Sequence, residues 1–333
     1  KGRWWQENSA KITPPPQNIL YSARFIMAIF ASLSCLLIYF IARISFGIRS
    51  GIFASLLLAY NPLMLYYGRR AMTEAPSLFF SLAAILSILL FYQALFKVKF
   101  KESFFLALSI GVYIGLACAA KFSGILTAVV FAILSSLLIV FKIIKSKTEA
   151  RSPEIKIILL SLLVSSAIAF FVFVSFHPAL YKRPINNTIQ MTKAAYGMSL
   201  YSQSKCPNIA LKTFRQKFTC LLKRVLFPNN FVILGNIIKK PLDMWFFVLG
   251  LFLLLYNEIR VFLRIRNFSP AIVPILWVFV TFVGIGLWIP LDWDRYYIIV
   301  VSGVSIVLGY TFDRLSRGFY YVFSNAVKQK IRS

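Results

Sequence analysis

The sequence predicts an all-α, polytopic membrane protein with about nine transmembrane helices and one large extracytoplasmic loop. Three observations predict it. The chain of 333 residues is 59% hydrophobic and only 14% charged, with a mean hydropathy of +0.76; a soluble domain carries about 25% charge. Apolar runs of about 18 residues or more recur, each able to cross a hydrocarbon core of roughly 30 Å. The 37 Lys and Arg residues far outnumber the 10 Asp and Glu, for a net charge of +27, and they concentrate in short connectors between the runs. A surplus of that size suggests nucleic acid at first sight. Its placement points instead to cytoplasmic loops facing anionic membrane lipids, so no nucleic-acid partner is expected. A soluble fold of this length could not bury so many apolar helices.

Residues 1–19 form a polar lead-in whose Pro14-Pro15-Pro16 run blocks helix. Six spans follow in a core over 20–176. They run from Leu20 to Ala42, Gly51 to Tyr67, Ala75 to Phe96, Phe104 to Ala120, Ile125 to Phe141 and Ile157 to Phe176. Pro62 stands near the end of the second. Gly111, Gly115, Ala117, Ala119 and Ala120 give the fourth a small-residue face for close helix packing. Residues 177–240 are the long hydrophilic loop. Within it Phe214, Phe218, Leu221, Leu222, Val225 and Leu226 recur at helical intervals, with Arg215, Lys217, Lys223 and Arg224 between them. That pattern suits a helix lying on the membrane surface. Three more spans occupy 241–312, from Leu242 to Tyr256, Ala271 to Ile289 and Ile298 to Phe312, and a basic cytoplasmic tail covers 313–333.

The connectors after spans one, three, five, seven and nine are basic and therefore cytoplasmic. Those after spans two, four and eight lie on the opposite face, and so does the long loop, because long loops cross largely regardless of charge. The same alternation puts Lys1 outside, so an upstream span and outer loop are expected before it.

The outer junctions hold the residues able to carry chemistry. Glu74 opens the third span four residues after Arg70, a spacing that allows an ion pair on a helix. Thr73 is placed to cap that span, with Glu74 in its first turn. As a carboxylate at membrane depth, Glu74 is the first candidate for acid–base or metal-binding work; a structural ion pair is the alternative. Lys121 and Arg295 suit phosphate binding, the guanidinium by a two-pronged contact and the ammonium as a point charge; snorkelling to headgroups is the alternative. Asp292 and Asp294 flank Arg295 and are candidates for substrate contact; they could equally pair with Arg295, and two carboxylates at that spacing are only weak evidence for a metal site. Arg69, His177, Tyr181 and Tyr296 are further candidates for substrate contact. Cys206 and Cys220 share the long loop and could be bridged on an oxidising face. The four cysteines show no metal-ligand spacing, and no Gly-rich phosphate loop or nucleophile elbow is present.

Together, Leu37-Ile38-Tyr39-Phe40-Ile41-Ala42-Arg43, Phe46-Gly47, Asn61-Pro62, the Arg70-to-Glu74 step, Gly115-Leu116-Ala117-Cys118-Ala119-Ala120-Lys121 and Arg295-Tyr296-Tyr297 form an ordered pattern. It resembles the membrane glycosyltransferases of the GT-C superfamily, in particular the group around dolichyl-phosphate-mannose–protein mannosyltransferases and aminoarabinose-lipid A transferases. The likeness covers most of 20–141 and 285–312, and does not extend to 177–240. It implies a GT-C-type fold and a mannose-like or other hexose carried on a polyprenyl or dolichyl phosphate. The sugar would pass to a protein, lipid or glycan acceptor at the extracytoplasmic face, in a prokaryotic plasma membrane rather than the endoplasmic reticulum. By position Glu74 matches the second acidic residue of that family, Lys121 its lysine and Arg295 its late basic residue, with Arg70 beside them at the donor phosphate. A divalent cation, Mg or Mn, is used by some relatives and not by others. The departure is the family's main catalytic aspartate, which belongs to an outer loop upstream of Leu20; residues 1–18 hold no aspartate. The chain therefore reads as a transferase shortened at its N-terminus, with a degenerate or partner-dependent homologue, or a transporter, as the alternatives.

The predicted sidedness is directly testable. In a background with Cys35, Cys118, Cys206 and Cys220 replaced by serine, a His177→Cys variant should react with a membrane-impermeant maleimide from outside, and Lys147→Cys only after permeabilisation; the reverse pattern would overturn the topology.

Overall fold

The computed structural model describes residues 16–97, 99–145, 153–227, 241–265 and 267–332. Their secondary structure is helical except for one isolated antiparallel bridge, Ala210 with Leu291. The helices are α1 (Gln17–Phe46), α2 (Ile48–Ala59), α3 (Pro62–Tyr67), α4 (Glu74–Phe96), α5 (Phe100–Ala120), α6 (Ile125–Lys145), α7 (Pro153–Ser175), α8 (Pro184–Lys205), α9 (Phe214–Leu226), α10 (Leu242–Ile265), α11 (Ile272–Trp288) and α12 (Ile298–Arg332). An all-helical architecture follows from the solvent. In hydrocarbon every backbone N–H and C=O must be paired within the protein, and a helix does this inside one segment.

Among the described residues seven helices are long and apolar enough to cross a membrane, and the chain is a multi-pass membrane protein. The second expected span is divided. Pro62 cannot continue α2, and the Asn61 side chain accepts the Leu63 N–H at 3.0 Å, so a new short helix starts there. The eighth expected span is α11, a fully apolar helix of 17 residues, below the length of about 20 that spans without thinning or tilt of its surroundings. The bundle is apolar outside as well as inside. Phe25, Ile29, Leu33 and Leu36 of α1 and Leu163 and Phe171 of α7 are exposed, as lipid-facing positions are. α4 and α12 are the central helices: α4 is largely buried over 74–95, and α12 is buried over most of 298–313.

The small-residue face of the fourth expected span does what its composition indicates. α5 packs closely against α7 along Gly111 and Gly115. A Cβ on Gly115 would lie 2.7 Å from the Ala169 carbonyl oxygen and from Val172 Cβ.

Within the long loop, residues 177–227 are described, and 228–240 lie outside the described residues. The amphipathic stretch is helical as expected, opened by a Thr213–Gln216 capping box. Its apolar face is used differently from the expectation. Leu221, Val225 and Leu226 are buried, and α9 lies against α11 and the turn at 294–297. Protein covers Leu221, Val225 and Leu226, whereas Phe214 of the same stripe stays exposed. Cys206 and Cys220 are both free thiols, so the loop is not bridged between them.

Contacts gather the helix ends into two sets. At one end lie Glu74, Lys121, the 209–211 segment and the 290–297 turn. At the other, Ser50 donates to Asp313 at 2.9 Å, Lys142 pairs with Glu154 at 3.1 Å, and Ser269 N–H meets Glu258 at 2.6 Å. These sets are the connectors that charge assigned to opposite faces.

Replacing Gly115 with Leu forces α5 off α7. Overpacking of this kind costs about 1–3 kcal/mol, so Gly115→Leu should lower the thermal midpoint of the detergent-solubilised protein by several degrees, whereas Gly197→Leu, in open space, should not. Equal midpoints would remove the close α5–α7 contact.

Candidate functional site

The site is assembled from three helix ends that the chain returns to one place. The first is the α3–α4 junction. α3 ends at Tyr67, and the backbone from Gly68 to Thr73 is turn and bend rather than helix. The Arg70–Glu74 pair expected from helical spacing therefore does not form. Instead the Arg70 guanidinium lies over the Tyr66 ring, 3.7 Å from its centroid, and hydrogen-bonds the Tyr66 hydroxyl. Thr73 holds the N-cap position of α4 but makes no side-chain cap bond, because its backbone is already helical rather than extended. Arg69 is exposed.

The second end is the α5–α6 junction. Lys121 stands in extended backbone between α5 and a short 3-10 turn, Phe122–Gly124. The turn is tight: a Cβ on Gly124 would lie 2.4 Å from the Ala117 carbonyl carbon, so glycine is what lets α6 fold back and leaves Lys121 directed inward. Its ammonium donates to Glu74 Oε1 at 3.2 Å. The Glu74 side chain is 4% exposed and that of Lys121 23%. Burial pushes the Lys121 amine below the ordinary lysine value, while Glu74 pulls it back and the nearby Arg295 adds to the lowering. The Glu74–Lys121 contact joins α4 to the end of α5 across 47 positions of sequence.

The third end is the turn before α12. Tyr296 offers its ring to Lys121, with Nζ 5.2 Å from the centroid. Trp293 and Tyr296 are stacked within 7° of parallel, and the Arg295 guanidinium sits over Trp293 at 4.5 Å. Arg295 makes no ion pair among the described residues. The expected pairing of Asp292 and Asp294 with Arg295 is replaced by one with Arg224 of α9. Arg224 Nη2 reaches Asp292 Oδ2 at 2.7 Å, and Nη1 reaches Asp294 Oδ1 at 3.4 Å. The reason is reach: Arg295 is turned onto the aromatic rings, and α9 brings a guanidinium to the outer side of the same turn. Burial alone would raise the Asp292 carboxyl, but the Arg224 hydrogen bonds outweigh it and hold Asp292 below its ordinary value.

Glu74, Lys121, Arg295 and Tyr296 thus meet. Tyr67, beside Arg70, lies within electrostatic reach of Asp294 and Arg295, so the α3 end adjoins the same cluster. His177 and Tyr181 do not join it through any contact among the described residues. His177 Nδ1 bonds the Phe173 carbonyl at 2.8 Å and its ring packs on Phe173, while the Tyr181 hydroxyl donates to the Ser175 carbonyl at 2.7 Å. Both close the end of α7. Sequence reading missed Arg224 as a site residue; it stands 68 positions from Asp292, and nothing local distinguishes it from Lys223 beside it. Among the described residues no three His, Cys, Asp or Glu side chains converge. Glu74, Asp292 and Asp294 are each turned to a cation, so this donor set does not fit a divalent-ion site.

Comparison with known proteins agrees with the architecture. The family profile described as dolichyl-phosphate-mannose-protein mannosyltransferase matches residues 1–179, more than half of the chain. No curated protein matches the sequence at a significant level. Among solved structures, the oligosaccharyltransferase AglB of Archaeoglobus fulgidus, in complex with an inhibitory peptide and a dolichol-phosphate, is similar at 17% identity and a TM-score of 0.54, over 93% of this chain and 41% of that one. The Archaeoglobus fulgidus oligosaccharyltransferase in complex with Zn and sulfate gives 19% identity and a TM-score of 0.54, over 93% and 40%. ArnT from Cupriavidus metallidurans gives 15% identity and a TM-score of 0.48, over 91% and 48%, a likeness too slight to build on. The chain therefore shares the helical fold of the oligosaccharyltransferase and spans about two fifths of its length.

The buried ion pair carries its own test. Lys121→Met leaves Glu74 buried beside an apolar chain, and stranding one member of such a pair costs about 3 kcal/mol. The variant should unfold at a clearly lower temperature, and adding Glu74→Gln should recover at least half of the loss. A Lys121→Met protein as stable as the parent would deprive the pair of structural weight.

Proposed function

Because the chain belongs to the dolichyl-phosphate-mannose-protein mannosyltransferase family, we propose that it transfers a hexose from a polyprenyl- or dolichyl-phosphate donor to a protein, lipid or glycan acceptor at the extracytoplasmic face of a prokaryotic plasma membrane. The observation that carries this reading is the charge balance of the cluster. Lys121 pairs with Glu74, Arg295 lies within electrostatic reach of Lys121, and Arg70 belongs to the adjoining α3 end, while Asp292 and Asp294 are taken up by Arg224. The surplus of positive charge calls for an anion. Two of the three cations are guanidiniums lying on aromatic rings, a setting that shields one face and leaves N–H edges to grip phosphate oxygens. In this reading α2 with α3, and α11, are also embedded, giving nine crossings, and the described part of the loop, 177–227, lies over the site.

The reaction is a single displacement with inversion. The acceptor oxygen bonds to the anomeric carbon from the face opposite the lipid phosphate. The bond from that carbon to the phosphate oxygen breaks, and its electron pair stays on the leaving phosphate. Arg295, Arg70 and Lys121 stabilise the charge that builds there, and being already oriented they do so without reorganisation in the transition state. Where Glu74 is the base the acceptor proton passes to it; where Glu74 only orients Lys121 the proton passes to a carboxylate outside this cluster. Two roles meet at Glu74: taking that proton, or orienting Lys121. Its buried side chain, turned to the ammonium at 3.2 Å, favours orientation. No metal step enters.

Kinetics separate the roles. Arg295→Ala should raise the donor KM about tenfold or more, and unchanged donor dependence would remove Arg295 from the site. Glu74→Gln should likewise act mainly on donor KM; a loss of about 100-fold or more in kcat at unchanged KM, the range of general-base removal, would make Glu74 the base instead.

A further inference from the structure

The Asp292-Trp293-Asp294-Arg295 turn poses an electrostatic problem that its own sequence does not solve. Two carboxylates stand three residues and one residue before the guanidinium proposed to hold the donor phosphate. At such separations an unshielded carboxylate competes directly with a phosphate for the same N–H groups. The structure separates them with a third residue. Arg224 donates from Nε to Asp292 Oδ1 at 3.1 Å and Oδ2 at 3.3 Å, from Nη2 to Oδ2 at 2.7 Å, and brings Nη1 to 3.4 Å from Asp294 Oδ1. The Tyr297 hydroxyl adds a bond to Asp292 Oδ1 at 3.1 Å. Beyond its 3.4 Å approach to Arg224, Asp294 Oδ1 is buried without a hydrogen-bond partner, so Arg224 is what stabilises its charge.

Arg224 is not needed merely to dock the loop. Four other contacts tie the loop to the same turn or to the end of α11: Leu211 N–H to the Pro290 carbonyl at 2.9 Å, Asp292 N–H to the Ile209 carbonyl at 2.9 Å, Gln203 Nε2 to the Pro290 carbonyl at 3.1 Å, and Lys217 Nζ to the Leu287 carbonyl at 2.8 Å. None of these touches a carboxylate. Docking and charge neutralisation are therefore done by different groups, and Arg224 does the second.

We propose that Arg224 is a positioning residue, which engages Asp292 and Asp294 and so leaves Arg295 unpaired on its aromatic shelf and open to the oxygens of a lipid phosphate. The part concerning phosphate rests on the function proposed above; the part concerning Arg295 does not. Removal of Arg224 lets Arg295 turn from Trp293 to the freed carboxylates. Removal of the carboxylates as well releases Arg295 again.

Two readouts on the purified full chain in phosphatidylcholine nanodiscs keep these parts distinct. The first is the rate of Arg295 modification by phenylglyoxal, followed by peptide mass spectrometry. It should fall at least threefold in Arg224→Ala and return to within twofold of the parent in the triple variant Arg224→Ala, Asp292→Asn, Asp294→Asn. An unchanged rate in Arg224→Ala, or a slow rate that the triple variant does not restore, would overturn the proposal; the latter result is what a purely structural arginine gives. If Arg224→Ala does not fold, Arg224→Lys replaces it. The single ammonium cannot serve both carboxylates, so a rate about half that of the parent is expected, and an unchanged rate would again count against the proposal. The second readout is binding of dolichyl phosphate, expected to weaken about tenfold in Arg224→Ala and to recover in the triple variant. If the parent binds no dolichyl phosphate while the phenylglyoxal pattern holds, the donor reading fails and the role of Arg224 in freeing Arg295 stands.

Discussion

A charge exposed to hydrocarbon is costly enough to be confined to helix ends, paired sites or water-facing surfaces, and this constraint shapes the whole molecule. The buried acids of the described chain obey it. Glu74 opens α4, Asp243 opens α10, Glu258 sits in its last turns and Asp313 lies beyond the apolar stretch of α12. At one end of the bundle such groups serve architecture. Asp313 takes a two-pronged contact from Arg317 and a bond from Ser50 of α2, and Glu258 receives the Ser269 N–H and hydroxyl at the start of α11. At the other end the same rule gathers cations in excess of acids: Glu74 pairs with Lys121, Asp292 and Asp294 with Arg224, and Arg295 makes no ion pair among the described residues.

That excess arises from geometry more than from composition. The chain is basic throughout, and basic residues alone would say little. What distinguishes the 290–297 turn is the allocation of partners. Guanidiniums at Arg70 and Arg295 rest on aromatic rings, Lys121 shares its charge with Glu74, and Arg224 approaches from another element to occupy both aspartates. The rings matter for a reason beyond attraction. A flat cation on a flat ring is held in orientation while its edge stays available. The docking is separate from that allocation and precedes it: the pairing of residues 209–211 with 290–292 brings α9 within reach of the turn.

Local sequence logic was sound where the relevant neighbours were near in sequence. Gly111 and Gly115 took α5 close to α7, and the 214–226 periodicity was a helix. It failed where a residue had to choose among partners. Spacing offered Arg70 to Glu74 and Arg295 to its flanking aspartates, and both offers were declined. Residues 68–73 are not helical, so spacing of four did not align Arg70 with Glu74. Arg295 found a ring before it found a carboxylate. The amphipathic α9 was read as a lipid-facing helix because apolar periodicity reports that a face is buried, not what covers it. His177 and Tyr181 were candidates by chemistry alone, and in the structure each bonds a backbone carbonyl at the end of α7.

What the sequence by itself determined is the class and the layout. An all-helical membrane bundle follows from long uncharged apolar runs, because no other backbone arrangement short of a closed barrel satisfies its polar groups in lipid. The alternation of charged connectors sorted the helix ends into the two groups that the contacts later joined. The candidates Glu74, Lys121, Arg295 and Tyr296 were visible because ionisable groups among apolar spans are few. What only the tertiary structure decided is which charge answers which. Glu74 and Lys121 are 47 positions apart and Arg224 and Asp292 are 68 apart. An ion pair depends on a few ångströms of approach, and that distance is set by how helices pack, not by how residues follow one another.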